Sequence, residues 1–213
     1  HTYTVDAIDS LNNPSLMSGT SASILVSGGA PPAIFEDDFS SGSFVAQWTS
    51  ATRLTIDGAL GSPAAPSARA NVTNQSAFAY RDLASGTMTP CLSLNVNVAS
   101  GTGVDLLRLR SAGNGALIKV FVHASGTLQI RSDFASTTRN SNVQVGTGWH
   151  SIELCGTVGT NTTWDLLRDG NVIVNDWQAD TGTDPVMRVQ IGDSAAKTFT
   201  ANFDDVRLDQ VAG

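Results

Sequence analysis

Apolar and polar residues alternate with a period of two along most of this chain. Cys91 to Val98 reads CLSLNVNV, with Leu92, Leu94, Val96 and Val98 of one parity and Cys91, Ser93, Asn95 and Asn97 of the other. Successive side chains of a strand point to opposite faces, so this pattern predicts a strand with one buried side. Comparable runs predict strands at Ile34 to Phe39, Leu54 to Ile56, Ala68 to Val72, Ala77 to Leu83, Val104 to Arg110, Leu117 to Ala124, Leu128 to Asp133, Ser151 to Val158, Val186 to Gly192 and Phe199 to Leu208. Turn chemistry separates them: GALGSPAAPS, Asn114-Gly115, Ser125-Gly126 and the loop Asp180 to Pro185. Trp164 to Val174 predicts a hairpin pivoting on Asp169-Gly170, because both positions tolerate positive φ. In FTANFDDVRL the apolar parity switches after Phe203, which requires either a strand buried on both faces or a bulge at Asp204-Asp205.

Composition agrees with many short strands. Gly, Ser, Thr, Asn, Val and Ala dominate, glutamate occurs only as Glu36 and Glu153, and no helix longer than a turn or two is expected. The 213 residues divide unequally. Residues 1–27 hold two candidate strands, Tyr3 to Ile8 and Ala22 to Val26, residues 28–33 form a Gly/Pro linker, and residues 34–213 form the main domain. Two strands alone bury too little to be stable, so the hairpin reads as part of a domain left behind, in a chain that begins at His1 as a mature or excised piece. The formal charge of −7 and a pI of about 4.7 exclude phosphate backbones as natural partners. No apolar run is long enough to span a bilayer as a helix, so membrane insertion is not expected.

Three features together resemble a known family. Trp149 opens a strand that contains Cys155, Trp164 opens the next, and that strand ends in Asp169-Gly170; this resembles the laminin G-like and pentraxin branch of the concanavalin A-like jelly rolls. Phe35-Glu36-Asp37-Asp38-Phe39 followed by Trp48 resembles the opening strand of jelly-roll carbohydrate-binding domains, and residues 1–26 resemble the last two strands of a fibronectin type III domain. The fold implied is all-β: a two-sheet antiparallel jelly-roll sandwich preceded by a fibronectin-like remnant. Cys91 and Cys155 are the only cysteines, and parity points both off the apolar face. They are either two free thiols or one bridge; pentraxins carry a disulfide between two such strands, so the resemblance implies the bridge and with it an extracellular, cell-surface or virion-surface setting.

The resemblance also implies a structural calcium ion where the first and last strands meet, with Glu36, Asp37, Asp38, Asp204 and Asp205 as candidate ligands, since calcium takes several hard oxygen donors. For a carbohydrate surface the leading candidate is Trp177, placed by the polar stretch NDWQAD in a loop. Trp164, Tyr80, His123, Arg131, Gln129, Asn95 and Asn97 follow by parity on the polar side of strands, while Trp48 and Trp149 are expected in the core. Asn71, Asn74 and Asn161 head glycosylation triplets that matter only in a eukaryotic secretory host.

Catalysis is not expected. A glycosidase needs two carboxyl groups across the scissile bond, and the Glu-x-Asp-x-Glu array of concanavalin-like glucanases is absent, with Glu36 and Glu153 far apart in sequence. His1, His123 and His150 suggest no nucleophilic triad, and neither a zinc spacing nor a phosphate loop is present. The sequence therefore points to a non-catalytic extracellular binding module that recognises a glycan. The competing expectation is a building block of a surface filament, tail fibre or virion, in which residues 1–26 dock on a neighbouring chain.

Overall fold

The computed structural model describes residues 33–210. Its strands, in chain order, are β1 (Phe35–Asp37), β2 (Ser50–Thr52), β3 (Leu54–Asp57), β4 (Ser67–Thr87), β5 (Pro90–Ser100), β6 (Val104–Arg110), β7 (Ala116–Val122), β8 (Thr127–Ser132), β9 (Thr137–Gln144), β10 (Trp149–Gly156), β11 (Thr162–Arg168), β12 (Asn171–Ala179) and β13 (Val186–Gln210). A single 3-10 turn, Ala112–Asn114, links β6 to β7. The fibronectin-like strands, nearly all of the Gly/Pro linker and the expected docking of residues 1–26 lie outside the described residues.

β4 and β13 run antiparallel to each other along most of their length and take part in both layers of a jelly-roll-like sandwich. In the first layer, the early part of β4 and the late part of β13 are flanked by β3 on one side and by β5, β10, β11 and β12 on the other. β1 takes over beside β13 where β4 has ended, pairing Phe35 with Leu208. In the second layer, the late part of β4 and the early part of β13 are flanked by β2 and by β6, β7, β8 and β9. The register shifts between Asp193 and Phe199, and Asn74 and Gly192 adopt positive φ, which lets both strands turn from one layer into the other. Gly192 has no freedom to change, because a Cβ there would meet the Ala77 carbonyl oxygen at 2.4 Å.

The alternation read from the sequence sets the inward faces. Leu92, Leu94 and Val96 of β5, Ile152 and Leu154 of β10, Ile118 and Val120 of β7, and Phe199, Ala201 and Phe203 of β13 are all buried. Each large aliphatic side chain so removed from water contributes roughly 1.5–3 kcal/mol. The parity switch in β13 is a bulge: the register with β5 jumps between Asp204 and Arg207, and Asp205 has φ 46°. The inserted residue returns Val206 and Leu208 to the core. The Asp169-Gly170 hairpin turn has φ 52° and 72°, as a tight turn of this kind requires.

Four strand expectations change. Ala68 to Val72 and Ala77 to Leu83 are one strand, as are Val186 to Gly192 and Phe199 to Leu208, with Lys197 paired to Gln75 across the bend. β9, reading TTRNSNVQ, is an edge strand with almost no buried side and so carries no hydrophobic alternation. β12 extends through Trp177, so NDWQAD is strand and not loop. The fourth concerns Trp149, which is half-buried opposite Asn97 on the outward face of β10 instead of in the core. Ile152 and Leu154 fix the inward phase of that strand, and Trp149 has the opposite one.

Cys91 and Cys155 sit directly opposite each other on β5 and β10 and form a disulfide on the outward face of the first layer. The cysteines are 64 residues apart, and closing a loop of that size disfavours the unfolded chain by about 4 kcal/mol in the loop-entropy description. Replacing both cysteines by serine is expected to lower unfolding free energy by about 2–4 kcal/mol, measured by urea titration, without altering the far-ultraviolet spectrum. A change below about 0.5 kcal/mol would show that the ladder alone holds these strands in place.

Candidate functional site

The outward face of the second layer gathers polar and charged side chains from seven strands. One row crosses the whole layer in register: Ser50, Tyr80, Gln190, Arg108, Lys119, Arg131 and Thr138, contributed in turn by β2, β4, β13, β6, β7, β8 and β9. Beside it, Asp105, Phe121, Gln129 and Asn140 form a second row. Asp82, Arg188 and Arg110 form a third on the other side. Strand pleat explains the sorting: Leu107, Leu109, Val120 and Ile130 take the inward positions, leaving the intervening residues to face out.

Five of the twelve lysines and arginines lie on this face: Arg108, Arg110, Lys119, Arg131 and Arg188. Asp105 accepts from Arg108 Nε at 2.6 Å and pairs with Lys119 Nζ at 2.9 Å. Asp133 pairs with Arg131 at 3.2 Å and with Arg108 at 3.7 Å. Asp82 holds Arg188 in a two-pronged pair at 2.6 and 3.1 Å, and the Arg188 guanidinium lies 3.9 Å from the Tyr80 ring centre. Behind Asp105, the Asp193 carboxylate accepts its backbone N–H at 3.0 Å; burial, reinforced by Asp105, raises the Asp193 pKa.

Arg110 stands apart from these pairs. It is 8% exposed, its Nε has no hydrogen-bond partner, and among the described residues no carboxylate lies within ion-pair distance of it. Its one hydrogen bond runs from Nη1 to the Asn114 carbonyl at 3.2 Å. Burial lowers its pKa, with the like charges of Arg108 and Arg188 adding to the effect and the carboxylates of Asp133 and Asp105 opposing it. A buried guanidinium of this kind is costly, and an incoming anion would relieve it. The arrangement can therefore bind a carboxylate or sulfate group two-pronged, with Gln129, Asn140 and Tyr80 available for neutral hydroxyls, while Gln190 is buried and donates to the Gly192 carbonyl at 3.2 Å.

The sequence candidates fare unequally. Tyr80, Gln129 and Arg131 come together on this face, with Gln129 only 7% exposed. His123 is exposed at the β7–β8 turn, hydrogen-bonded to Ser125, and lies at the margin. Trp164 is fully buried and out of reach of any ligand: its parity matches Leu166, so it faces inward, and its Nε1 is left without a partner. Trp177 lies opposite Trp164 on the same inward side and packs, half-buried, against the core. It is an edge residue of the sandwich and not an exposed platform. Asn95 and Asn97 face outward on the first layer, remote in the ladder from Tyr80 and Arg131. Arg108, Arg110, Lys119, Arg188 and Gln190 were missed, although the alternation of VDLLRLR and VMRVQI already sets two arginines, or an arginine and a glutamine, on one side.

The five acidic candidates split. Asp37 is buried in an aromatic cluster of Phe35, Phe39, Phe44 and Trp48, where it accepts from Trp48 Nε1 at 2.6 Å and from the Phe39 N–H at 2.9 Å. Glu36 pairs with Arg207 at 2.8 Å on the outward face. Asp38, Asp204 and Asp205 do influence one another. Burial raises the Asp204 pKa to about 6 against the hydrogen bonds from the Ser62 and Asp205 N–H groups, and both Asp205 and Asp38 push it further up. Burial and Asp38 likewise raise Asp205. Three hard carboxylates suit calcium by donor type, yet they form no tight cage. The only described trio with ligand atoms within 4.8 Å of one another is Cys91, Glu153 and Cys155, whose sulfurs are spent in the disulfide. Asp38, Asp205, Asn95, Glu36 and Glu153 line an open cleft of about 690 Å³ on the first layer.

No protein-family model matches this chain, and no curated protein sequence does. Solved structures do. The chain is similar to the cellulose-induced protein Cip1, with a TM-score of 0.66 at 15% identity over 83% of this chain and 97% of that one. It is similar to the endo-β-1,4-glucuronan lyase of the fungus Trichoderma reesei, with a TM-score of 0.62 at 9% identity over 84% and 96%. A carbohydrate esterase of the Shiga toxin-encoding bacteriophage phi24B gives a TM-score of 0.62 at 12% identity over 84% and 99%. These likenesses establish the β-sandwich fold.

The acidic cluster has a pH signature. With its folded pKa raised to about 6 from the ordinary carboxylate range, Asp204 contributes stability that is fully present below about pH 4 and is lost as pH rises through about 6. In the presence of a chelator, the melting temperature of the wild type is expected to fall across this window relative to that of Asp204→Asn. Parallel curves for the two proteins from pH 4 to 7 would contradict the assignment.

Proposed function

We propose that this protein is a non-catalytic extracellular carbohydrate-binding module and that the outward face of its second layer takes an acidic polysaccharide. The observation that carries the reading is Arg110, a buried cation with no carboxylate partner among the described residues, set among four further cations. Uronic acid rings present a planar carboxylate, which a guanidinium grips two-pronged, and hydroxyls, which the neighbouring amides and Tyr80 can meet. The names of two similar structures, a cellulose-induced protein and a glucuronan lyase, support a polysaccharide as the ligand class. The disulfide supports an oxidising, extracellular setting. The laminin G-like and pentraxin branch is the narrower family proposed within the established fold. Calcium is proposed at Asp38, Asp204 and Asp205, where a divalent ion would offset the mutual repulsion of three carboxylates.

Isothermal titration with glucuronan oligosaccharides tests the reading. Binding is expected, weakening as salt is raised because the charged contacts are partly exposed. Arg110→Gln is expected to weaken it at least about tenfold, about 1.4 kcal/mol, while leaving the melting temperature unchanged or higher, since no ion pair is lost. Equal affinity for an uncharged cello-oligosaccharide of the same length, unaffected by Arg110→Gln, would refute an acidic ligand. Absorbance from unsaturated uronate during prolonged incubation would refute the non-catalytic part.

A further inference from the structure

The charged face ends at a pocket whose character differs from its own. Arg110 is followed directly by Ser111, and Asp133, which pairs with Arg131, is followed directly by Phe134. Ser111 and Phe134 line a cavity of about 340 Å³ at one end of the sandwich, together with Leu117, Thr160, Asp180 and Asp184. The pocket is thus continuous in the chain with two of the strands that build the face.

Phe134 is 57% exposed and is the only aromatic ring among the exposed large hydrophobic residues described. It is also held in place. A Cβ on Gly182 would meet the Phe134 ring at 3.0 Å, close enough that the ring would have to shift, so the ring rests against a glycine backbone, and Gly182 has φ 75°, a conformation that favours glycine. The loop carrying Gly182 is fixed in turn. Ser132 Oγ donates to the Asp180 carbonyl at 2.5 Å and accepts the Ala135 N–H at 3.0 Å, tying the two sides of the pocket together. Asp180 accepts the Gly182 N–H at 2.9 Å, and Thr181 N–H donates to the Gly159 carbonyl at 2.9 Å. An exposed aromatic face held rigid in this way loses little conformational freedom on binding.

The polar groups around Phe134 have the opposite sign from those on the face. Asp180 and Asp184 are carboxylates, Ser111, Thr160 and Thr183 are hydroxyls, and no lysine or arginine lines the pocket. Carboxylates accept hydrogen bonds from sugar hydroxyls and repel a uronate. We propose that this pocket is a terminal subsite of the polysaccharide site, in which an uncharged sugar ring stacks on Phe134 and its hydroxyls donate to Asp180 and Asp184. The inference rests on the reading of the charged face given above and adds that the ligand is a mixed chain, with acidic rings along the face and a neutral ring at its end.

Two tetrasaccharides distinguish the possibilities: one made entirely of glucuronic acid, and one with a terminal glucose in place of one terminal uronic acid. The wild type is expected to bind the glucose-ended ligand at least fivefold more tightly. Phe134→Ala is expected to abolish that preference while leaving affinity for the all-uronate ligand unchanged, and Asp184→Asn is expected to narrow it by admitting a uronate. Arg110→Gln is expected to weaken both ligands alike. Equal wild-type affinity for the two ligands, or a preference that survives Phe134→Ala, overturns the subsite and leaves the charged face standing. An all-uronate affinity that falls in parallel with the other in Phe134→Ala overturns it as well. A wild type that binds neither ligand overturns the face and the subsite together.

Discussion

The pairing of β4 with β13 is the constraint on which the rest of the molecule depends. These strands pass through both layers, so a shift of register between them would displace core and surface residues in both at once. A slip of one residue would exchange inward for outward side chains, driving Arg188 and Gln190 into the core and exposing Val189 and Ile191. The bends that let each strand change layer are therefore specified in detail, by Gly192 against the Ala77 carbonyl and by the irregular register between Asp193 and Phe199. The same strand then carries a bulge at Asp204-Asp205, which restores Val206 and Leu208 to the core at the cost of crowding two carboxylates near Asp38. The acidic cluster at one end and the arginine face at the other are both consequences of how β13 is threaded.

Much of the fold could be read from parity. The alternations in CLSLNVNV and SIELCG set the inward faces of β5 and β10, and the broken alternation in FTANFDDVRL left two readings, a strand buried on both faces or a bulge, of which the structure has the bulge. Reading failed where the physical signal is absent. β9 has no buried side, so nothing in TTRNSNVQ alternates. Trp164 was placed outward by parity and Trp177 by the polar stretch around it, yet Trp164 shares the inward phase of Leu166, and the register shift between Val174 and Trp177, with Asp176 at φ 47°, turns Trp177 to the same side. Aromatic residues at a sandwich edge sit among polar neighbours because the edge itself is polar.

The site was legible only in fragments. Tyr80, Gln129 and Arg131 could be put on outward faces one strand at a time, and they do share a surface. What no single strand discloses is that five cations fall on the same layer, because that depends on strand order, and strand order in a jelly roll is not sequence order. Arg108 and Arg110 are neighbours of Arg188 only because β13 returns between β4 and β6. Once the order is known the cluster follows from the pleat alone.

The net charge of −7 misleads for the same reason. On the first layer, Glu36, Asp57, Glu153, Asp165, Asp205 and Asp209 face outward against Arg69 and Arg207, and on the second layer five cations face outward against Asp82, Asp105 and Asp133. The layers of a sandwich stack roughly 10 Å apart, and their outward side chains add to that separation. Screening at physiological ionic strength acts over about 8 Å. A polyanion approaching the second layer therefore responds to the local excess of arginine and lysine more than to the acidic layer behind it. Approached from the other side, it meets repulsion at close range, so the charge pattern orients encounter as well as binding. Overall charge excludes a protein evenly coated with cations; it does not exclude a surface of the opposite sign on one layer of a two-layer fold.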